Sequence, residues 1–137
     1  MRRKLIFIVA ADLIIGLGHY KRSHYLALEF YKKNWDVEFL VITKKRPDYF
    51  DKNFKYSYFK TFSEFLNYFK FDERNKEFDL IITDIIYLKI FKDKNALHNI
   101  YQKLKELNAK ICAIDALGEF SLLSQNLLLN IDILIRP

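Results

Sequence analysis

The sequence predicts an α/β fold with a mostly parallel, doubly wound sheet of about six strands. Short apolar runs with little alternation recur along the chain, which is typical of strands buried on both faces. Stretches with apolar residues at helical spacing separate most of these runs. The 137 residues include only 3 glycines and 2 prolines, so the chain is dense in regular elements and unlike a turn-rich β-sandwich.

Six strands are predicted from the apolar runs. In chain order they cover residues 3–11, 37–43, 56–59, 78–83, 110–115 and 131–135. The run at 56–59 is the weakest of them. Because helical segments alternate with these runs, we expect parallel strands joined by right-handed crossovers, as in Rossmann-like domains. No repeat or composition change divides the chain, so residues 1–137 are expected to form one domain.

Four helices are predicted between the strands. The first begins near Tyr20 and carries Ser23, Ala27, Phe30 and Tyr31 at helical spacing. The second covers residues 62–69, the third 97–107, and a shorter fourth 119–129. Together with the strands they give the two helical layers that a doubly wound sheet requires.

Local signals mark the ends of two of these helices. Lys32 and Lys33 put positive charge in the last turn of the first helix, where it complements the helix dipole. Asn34 follows and suits a left-handed C-terminal cap. Thr61 or Ser63 is expected to cap the start of the second helix.

Composition and charge limit the function classes. The chain is 51% hydrophobic, which excludes intrinsic disorder. Cys112 is the only cysteine, so there is no disulfide framework and a reducing compartment is favoured. Lys and Arg number 23 against 17 Asp and Glu, a net charge of +6. This balance favours an anionic partner, which could be nucleic acid, a phosphorylated metabolite or a membrane surface.

The N-terminus superficially resembles a signal peptide. Arg2, Arg3 and Lys4 precede the apolar run 5–11, but Asp12 ends the run early and no small-residue cleavage site follows. A first buried strand explains the run better. No apolar stretch reaches the roughly 18 residues of a membrane span. We therefore expect a cytoplasmic protein, with peripheral membrane contact left open.

The segment after the first strand is the most informative part of the chain. Gly16 and Gly18 can adopt backbone angles that side chains forbid, and they let a ligand approach the main chain. His19 is then at a helix start, where unpaired N–H groups favour an anion and a neutral imidazole. Arg22, on the same helical face, could hold a phosphate or carboxylate. The alternative is a tight turn with a capping histidine and a surface arginine.

This segment resembles a known family. The matching positions are Ala11, Asp12, Gly16, Gly18, His19, Arg22, Ser23, Leu26, Ala27 and Leu28. They are similar to the opening of the UDP-sugar hydrolases of pseudaminic acid biosynthesis, whose fold is similar to that of GT-B glycosyltransferases. Residues 78–84, 113–115 and 130–137 are similar to later strands of that family. The resemblance implies the N-terminal half of a GT-B fold, with the C-terminal nucleotide-binding half outside this chain.

The resemblance also implies roles for individual residues. His19 matches the general base that activates water. Substrate-binding roles fall on six residues, namely Asp12, Gly16, Gly18, Arg22, Asp84 and Asp115. The sequence departs from the family at Ala10, usually a basic residue, and at Ala116, usually the second aspartate of a pair. The expected ligand is a UDP-sugar or a glycan acceptor, and the C-terminal half could lie on the same or another chain.

Other readings stay open. The domain could bind the acceptor of a glycosyltransferase, or serve a GT-B enzyme as a non-catalytic partner subunit. Basic and aromatic residues interleave between 44 and 71, which suits single-stranded nucleic acid or a membrane interface. A core helix and strand with lysines outside is favoured, and no nucleic-acid partner is expected. His24 and His98 are expected to be ordinary helix residues. No metal or cofactor is expected, unless Asp79, Asp84 and Asp115 converge on a divalent cation.

Overall fold

The computed structural model describes residues 2–11, 18–71, 78–85, 94–107, 109–114 and 131–135. Its strands are β1 (Lys4–Ala10), β2 (Asp36–Ile42), β3 (Lys55–Phe59), β4 (Leu80–Asp84), β5 (Lys110–Ile114) and β6 (Ile133–Ile135). Its helices are α1 (Gly18–Lys32), α2 (Phe62–Phe71) and α3 (Lys94–Glu106). The fourth predicted helix, 119–129, lies outside the described residues.

The six strands form one sheet in the order β3-β2-β1-β4-β5-β6, and every neighbouring pair is parallel. The predicted α/β, Rossmann-like sheet is confirmed, including the weak third strand. Strand order reverses between β1 and β4. In doubly wound sheets ligands bind at such a switch point, beyond the carboxyl ends of the two strands. The fold therefore directs attention to the ends of β1 and β4.

Strand β1 is buried on both faces and separates two apolar layers. Leu5, Phe7 and Val9 pack in the layer that contains the buried face of α1. The alternate residues Ile6 and Ile8 pack in the layer that contains α2 and α3. This alternation explains the continuous apolar run, since both faces of a central parallel strand are covered. Helix α1 packs over β1 and β2 in the first of these layers.

Two helix ends follow the predicted capping. Asn34 has a φ of 70°, in the left-handed region, and the Trp35 N–H donates to the Phe30 carbonyl at 3.1 Å. At the start of α2 the Glu64 N–H donates to the Thr61 hydroxyl oxygen at 3.1 Å. Thr61 is therefore the cap of α2.

No helix in the described part of the chain is both long enough and apolar enough to cross a membrane.

Candidate functional site

Three of the predicted site residues lie together at the switch point of the sheet. His19 and Arg22 belong to the first turns of α1, and Asp84 is the last residue of β4. The sequence separates Arg22 from Asp84 by 62 positions, yet the two side chains are in contact. Two further predicted residues, Asp12 and Asp115, lie outside the described residues.

Arg22 holds this cluster together through one nitrogen. Its Nη2 donates to Asp84 Oδ2 at 2.8 Å and also lies 3.1 Å from His19 Nδ1. His19 Nδ1 itself is 3.8 Å from Asp84 Oδ2, which is too long for a hydrogen bond. Arg22 is therefore a partly exposed side chain that contacts both His19 and Asp84.

Asp84 is the buried member of the cluster. Its side chain is fully buried, whereas the side chains of His19 and Arg22 are 23% and 38% exposed. Burial raises the pKa of the Asp84 carboxyl above its ordinary 3.8, and the hydrogen bond and charge of Arg22 and the charge of His19 oppose that rise. Asp84 Oδ1 and Arg22 Nε are buried without a hydrogen-bond partner among the described residues. Buried polar atoms without a partner are rare in folded proteins, and a functional role is one explanation for them.

Of the two predicted glycines, the structure describes only Gly18. Gly16 lies outside the described residues. Gly18 is the first residue of α1, its φ is not in the left-handed region, and a Cβ there would meet no described atom within 4 Å. The freedom of glycine to adopt angles forbidden to side chains is therefore not used at position 18. The open space beside it is compatible with a ligand against the start of the helix.

Asp79 and Asp84 do not converge, so the condition for a cation site shared by Asp79, Asp84 and Asp115 is not met by these two residues. Asp79 precedes β4 and its Oδ2 accepts a hydrogen bond from the Lys4 N–H at 2.9 Å, at the amino edge of the sheet. Asp84 lies at the carboxyl edge of the same strand. The described residues contain no group of three or more His, Cys, Asp or Glu side chains that could hold a metal ion.

His24 is predicted from the sequence to be an ordinary helix residue, but the structure gives it a central place in the core. It is 1% exposed, and its ring stacks on Phe39 at a centroid distance of 4.4 Å. Its Nδ1 donates to the Tyr20 carbonyl at 2.7 Å, so its Nε2 accepts from the Tyr56 hydroxyl, also at 2.7 Å. The spacing of Tyr20, His24 and Ala27 on the buried face of α1 could have revealed this role. The expected apolar position Tyr31 is instead 38% exposed.

Acid is expected to destabilise the protein through His24. Burial lowers the pKa of His24 below its ordinary 6.5, and the Tyr20 carbonyl and Asp51 only partly oppose this. The unfolded chain therefore takes up a proton at higher pH than the folded one. The contribution of neutral His24 to the free energy of unfolding should be fully present above pH about 6.5 and be lost as the pH falls toward the folded-state pKa. Each tenfold difference in proton affinity between the unfolded and folded states corresponds to about 1.4 kcal/mol.

Urea unfolding measured at several pH values between about 4 and 8 tests this expectation. The matched control is His24→Leu, which lacks the titrating group and should lose the part of the pH dependence below pH about 6.5. If the free energy of unfolding depends on pH equally in the two proteins, the titration of His24 is not the cause of the acid destabilisation.

The aromatic residues between 44 and 71 belong mainly to the core. Phe54 and Phe59 are buried, and the Tyr56 ring stacks on Phe39 at 5.2 Å. The guanidinium of Arg46 lies 4.2 Å from the centre of the Tyr58 ring. This arrangement supports the core interpretation of the segment over a stacking surface for nucleic acid.

Comparisons with protein-family models, with curated proteins and with solved structures found no match to this chain. The strand order and register define the class: an α/β, Rossmann-like domain with a parallel sheet. Its candidate site is the His19–Arg22–Asp84 cluster at the switch point.

Proposed function

We propose that this chain is the N-terminal domain of a cytoplasmic GT-B-like nucleotide-sugar enzyme that hydrolyses a UDP-linked amino or deoxy sugar used for cell-surface glycans. One observation supports the proposal most: His19, Arg22 and Asp84 meet at the carboxyl edge of the sheet, where doubly wound domains bind ligands. The resemblance of the segment around His19 to the UDP-sugar hydrolases supplies the reaction.

In this proposal His19 takes a proton from the water that attacks the sugar–phosphate linkage. General-base assistance of this kind contributes roughly a hundred- to ten-thousandfold to the rate. The guanidinium of Arg22, whose side chain is partly exposed, and the N-terminus of α1 meet the negative charge of the diphosphate. By the resemblance, most contacts to UDP come from a C-terminal half on the same or another chain.

The proposal is tested by replacing His19 in the enzyme isolated at native length from its own cells. His19→Ala should lower the release of UDP from a UDP-linked acetamido sugar by at least about a hundredfold. The matched control is His98→Ala, because His98 lies on α3, outside the cluster. Unchanged release in His19→Ala would contradict the role of His19, and absence of release by the native enzyme would contradict hydrolysis.

A second candidate is the acceptor-binding domain of a glycosyltransferase, or a non-catalytic partner subunit of one. The loop between β2 and β3 favours it, because Tyr49 and Phe50 are 42% and 63% exposed beside Lys52. The Tyr20 hydroxyl donates to the Tyr49 carbonyl at 2.8 Å, so this loop is held to the start of α1. Exposed aromatic residues next to a lysine suit a lipid-linked acceptor at a membrane surface. Transfer of the sugar to an added acceptor, instead of to water, would favour this function.

A further inference from the structure

We propose that Arg22 and Asp84 determine which ring nitrogen of His19 carries the proton, and that a phosphate-type anion bound by Arg22 moves that proton from Nε2 to Nδ1. Arg22 and Asp84 thereby act as positioning residues, and the anion prepares His19 for its work as a base. The inference rests on the proposed function only where it identifies this anion with the diphosphate of a nucleotide sugar.

The first step concerns His19 as the structure shows it. A guanidinium has five N–H donors and no acceptor. The contact of 3.1 Å between Arg22 Nη2 and His19 Nδ1 is therefore a hydrogen bond in which Nδ1 accepts. A neutral imidazole has one donor and one acceptor nitrogen, so the proton is on Nε2. In this tautomer Nε2 is a donor and cannot take a proton from water.

The second step concerns Asp84, whose buried carboxylate needs a donor. That donor is now the same Arg22 Nη2, at 2.8 Å from Oδ2. If Nη2 leaves, His19 Nδ1 is the next nitrogen, 3.8 Å from Oδ2. A small rotation of the ring would close this gap, provided that Nδ1 carries the proton. Asp84 therefore favours the Nδ1–H tautomer as soon as Arg22 is withdrawn.

The third step is the withdrawal of Arg22 by an anion. Its side chain is 38% exposed, and its buried Nε has no hydrogen-bond partner among the described residues. A phosphate group accepts two parallel hydrogen bonds from a guanidinium, a stronger arrangement than the single-nitrogen contacts to His19 and Asp84. The position of Arg22 near the N-terminus of α1 adds a favourable field for the anion.

The exchange leaves the charge of His19 unchanged. The ring releases the Nε2 proton to water and takes up a proton from water at Nδ1, which then donates to Asp84 Oδ2. Nε2 now has the lone pair that a general base needs, and Asp84 would stabilise the imidazolium formed when Nε2 accepts a proton from the attacking water. His19 would thus become a base only when the anion is bound, which would limit unproductive chemistry in the empty site.

Nuclear magnetic resonance of the chain labelled with ¹⁵N-histidine tests the proposal at pH about 8, where the tautomer of each neutral ring is visible in its nitrogen shifts. Pyrophosphate is the probe. We expect His19 to be Nε2–H without the probe and Nδ1–H at saturation. His24 is the internal reference, because the Tyr20 carbonyl fixes it as Nδ1–H in both states. An Nδ1–H form of His19 without the probe, no change at saturation, or no binding of pyrophosphate would each overturn the proposal.

Two variants separate positioning from a merely structural role. Arg22→Met should place His19 in the Nδ1–H form without any anion, because Asp84 then has no other donor among the contacts described. Asp84→Asn should leave His19 predominantly Nε2–H even with pyrophosphate, because the carboxylate that attracts Nδ1–H is gone. A tautomer unchanged from the native protein in both variants would contradict the proposal. These readouts need no turnover, so a tautomer change without UDP-sugar hydrolysis would refute the proposed function alone.

Discussion

Replacing Phe39 by alanine is expected to lower the free energy of unfolding by about 3–5 kcal/mol. Phe39 is fully buried in β2, and its ring stacks on Phe7 of the neighbouring strand β1 at a centroid distance of 4.9 Å. On the helix side it contacts the ring of His24 at 4.4 Å. The truncation leaves a cavity in the apolar layer between the sheet and α1. The neighbouring rings of Phe7 and His24 belong to β1 and α1, so they cannot shift far enough to fill it.

Chemical denaturation of the native protein and the variant measures this difference. The matched control is Phe50→Ala, which removes the same ring from a side chain that is 63% exposed and should change stability by less than about 0.5 kcal/mol. A loss in Phe39→Ala no larger than in the control would show that the aromatic stack does not hold α1 on the sheet.

The parts of the fold that the sequence predicts are those with local signals. The run that forms β1 is apolar on both faces, and α1 has buried residues at helical spacing and a left-handed Asn34 after it. The strand order is not a local property, since alternation of strands and helices fits several parallel arrangements. The network of His24 with Tyr56 was missed for the same reason, because its hydrogen bond joins residues 32 positions apart.

In the candidate site, too, some features follow from local sequence and others only from the tertiary fold. His19 and Arg22 are three residues apart on one helix, so their proximity follows from helix geometry. Asp84 was predicted as a strand-end carboxylate, but only the parallel register of β1 and β4 brings it to α1. The placement of the Arg22 guanidinium between His19 and Asp84 depends on side-chain rotamers, which no sequence pattern specifies.

Replacing Arg22 by methionine is expected to lower the free energy of unfolding by about 2–3 kcal/mol at neutral pH. The variant leaves the fully buried carboxyl of Asp84 without its guanidinium, and the cost stays below that of a completely buried pair because Arg22 is 38% exposed. Burial already raises the pKa of Asp84, and loss of Arg22 raises it further.

The direction in which the stability loss of Arg22→Met changes with pH shows whether the charge of Asp84 causes it. A carboxyl whose folded-state pKa is raised contributes stability below its unfolded-state pKa, and that stability is lost as the pH rises through the folded-state pKa. The deficit of Arg22→Met should therefore shrink on acidification, because Asp84 becomes neutral. Urea unfolding at several pH values measures this, and the double variant Arg22→Met with Asp84→Asn, which has no buried charge, is the control. If the double variant shows the same pH-dependent deficit as Arg22→Met, the buried carboxylate of Asp84 is not its source.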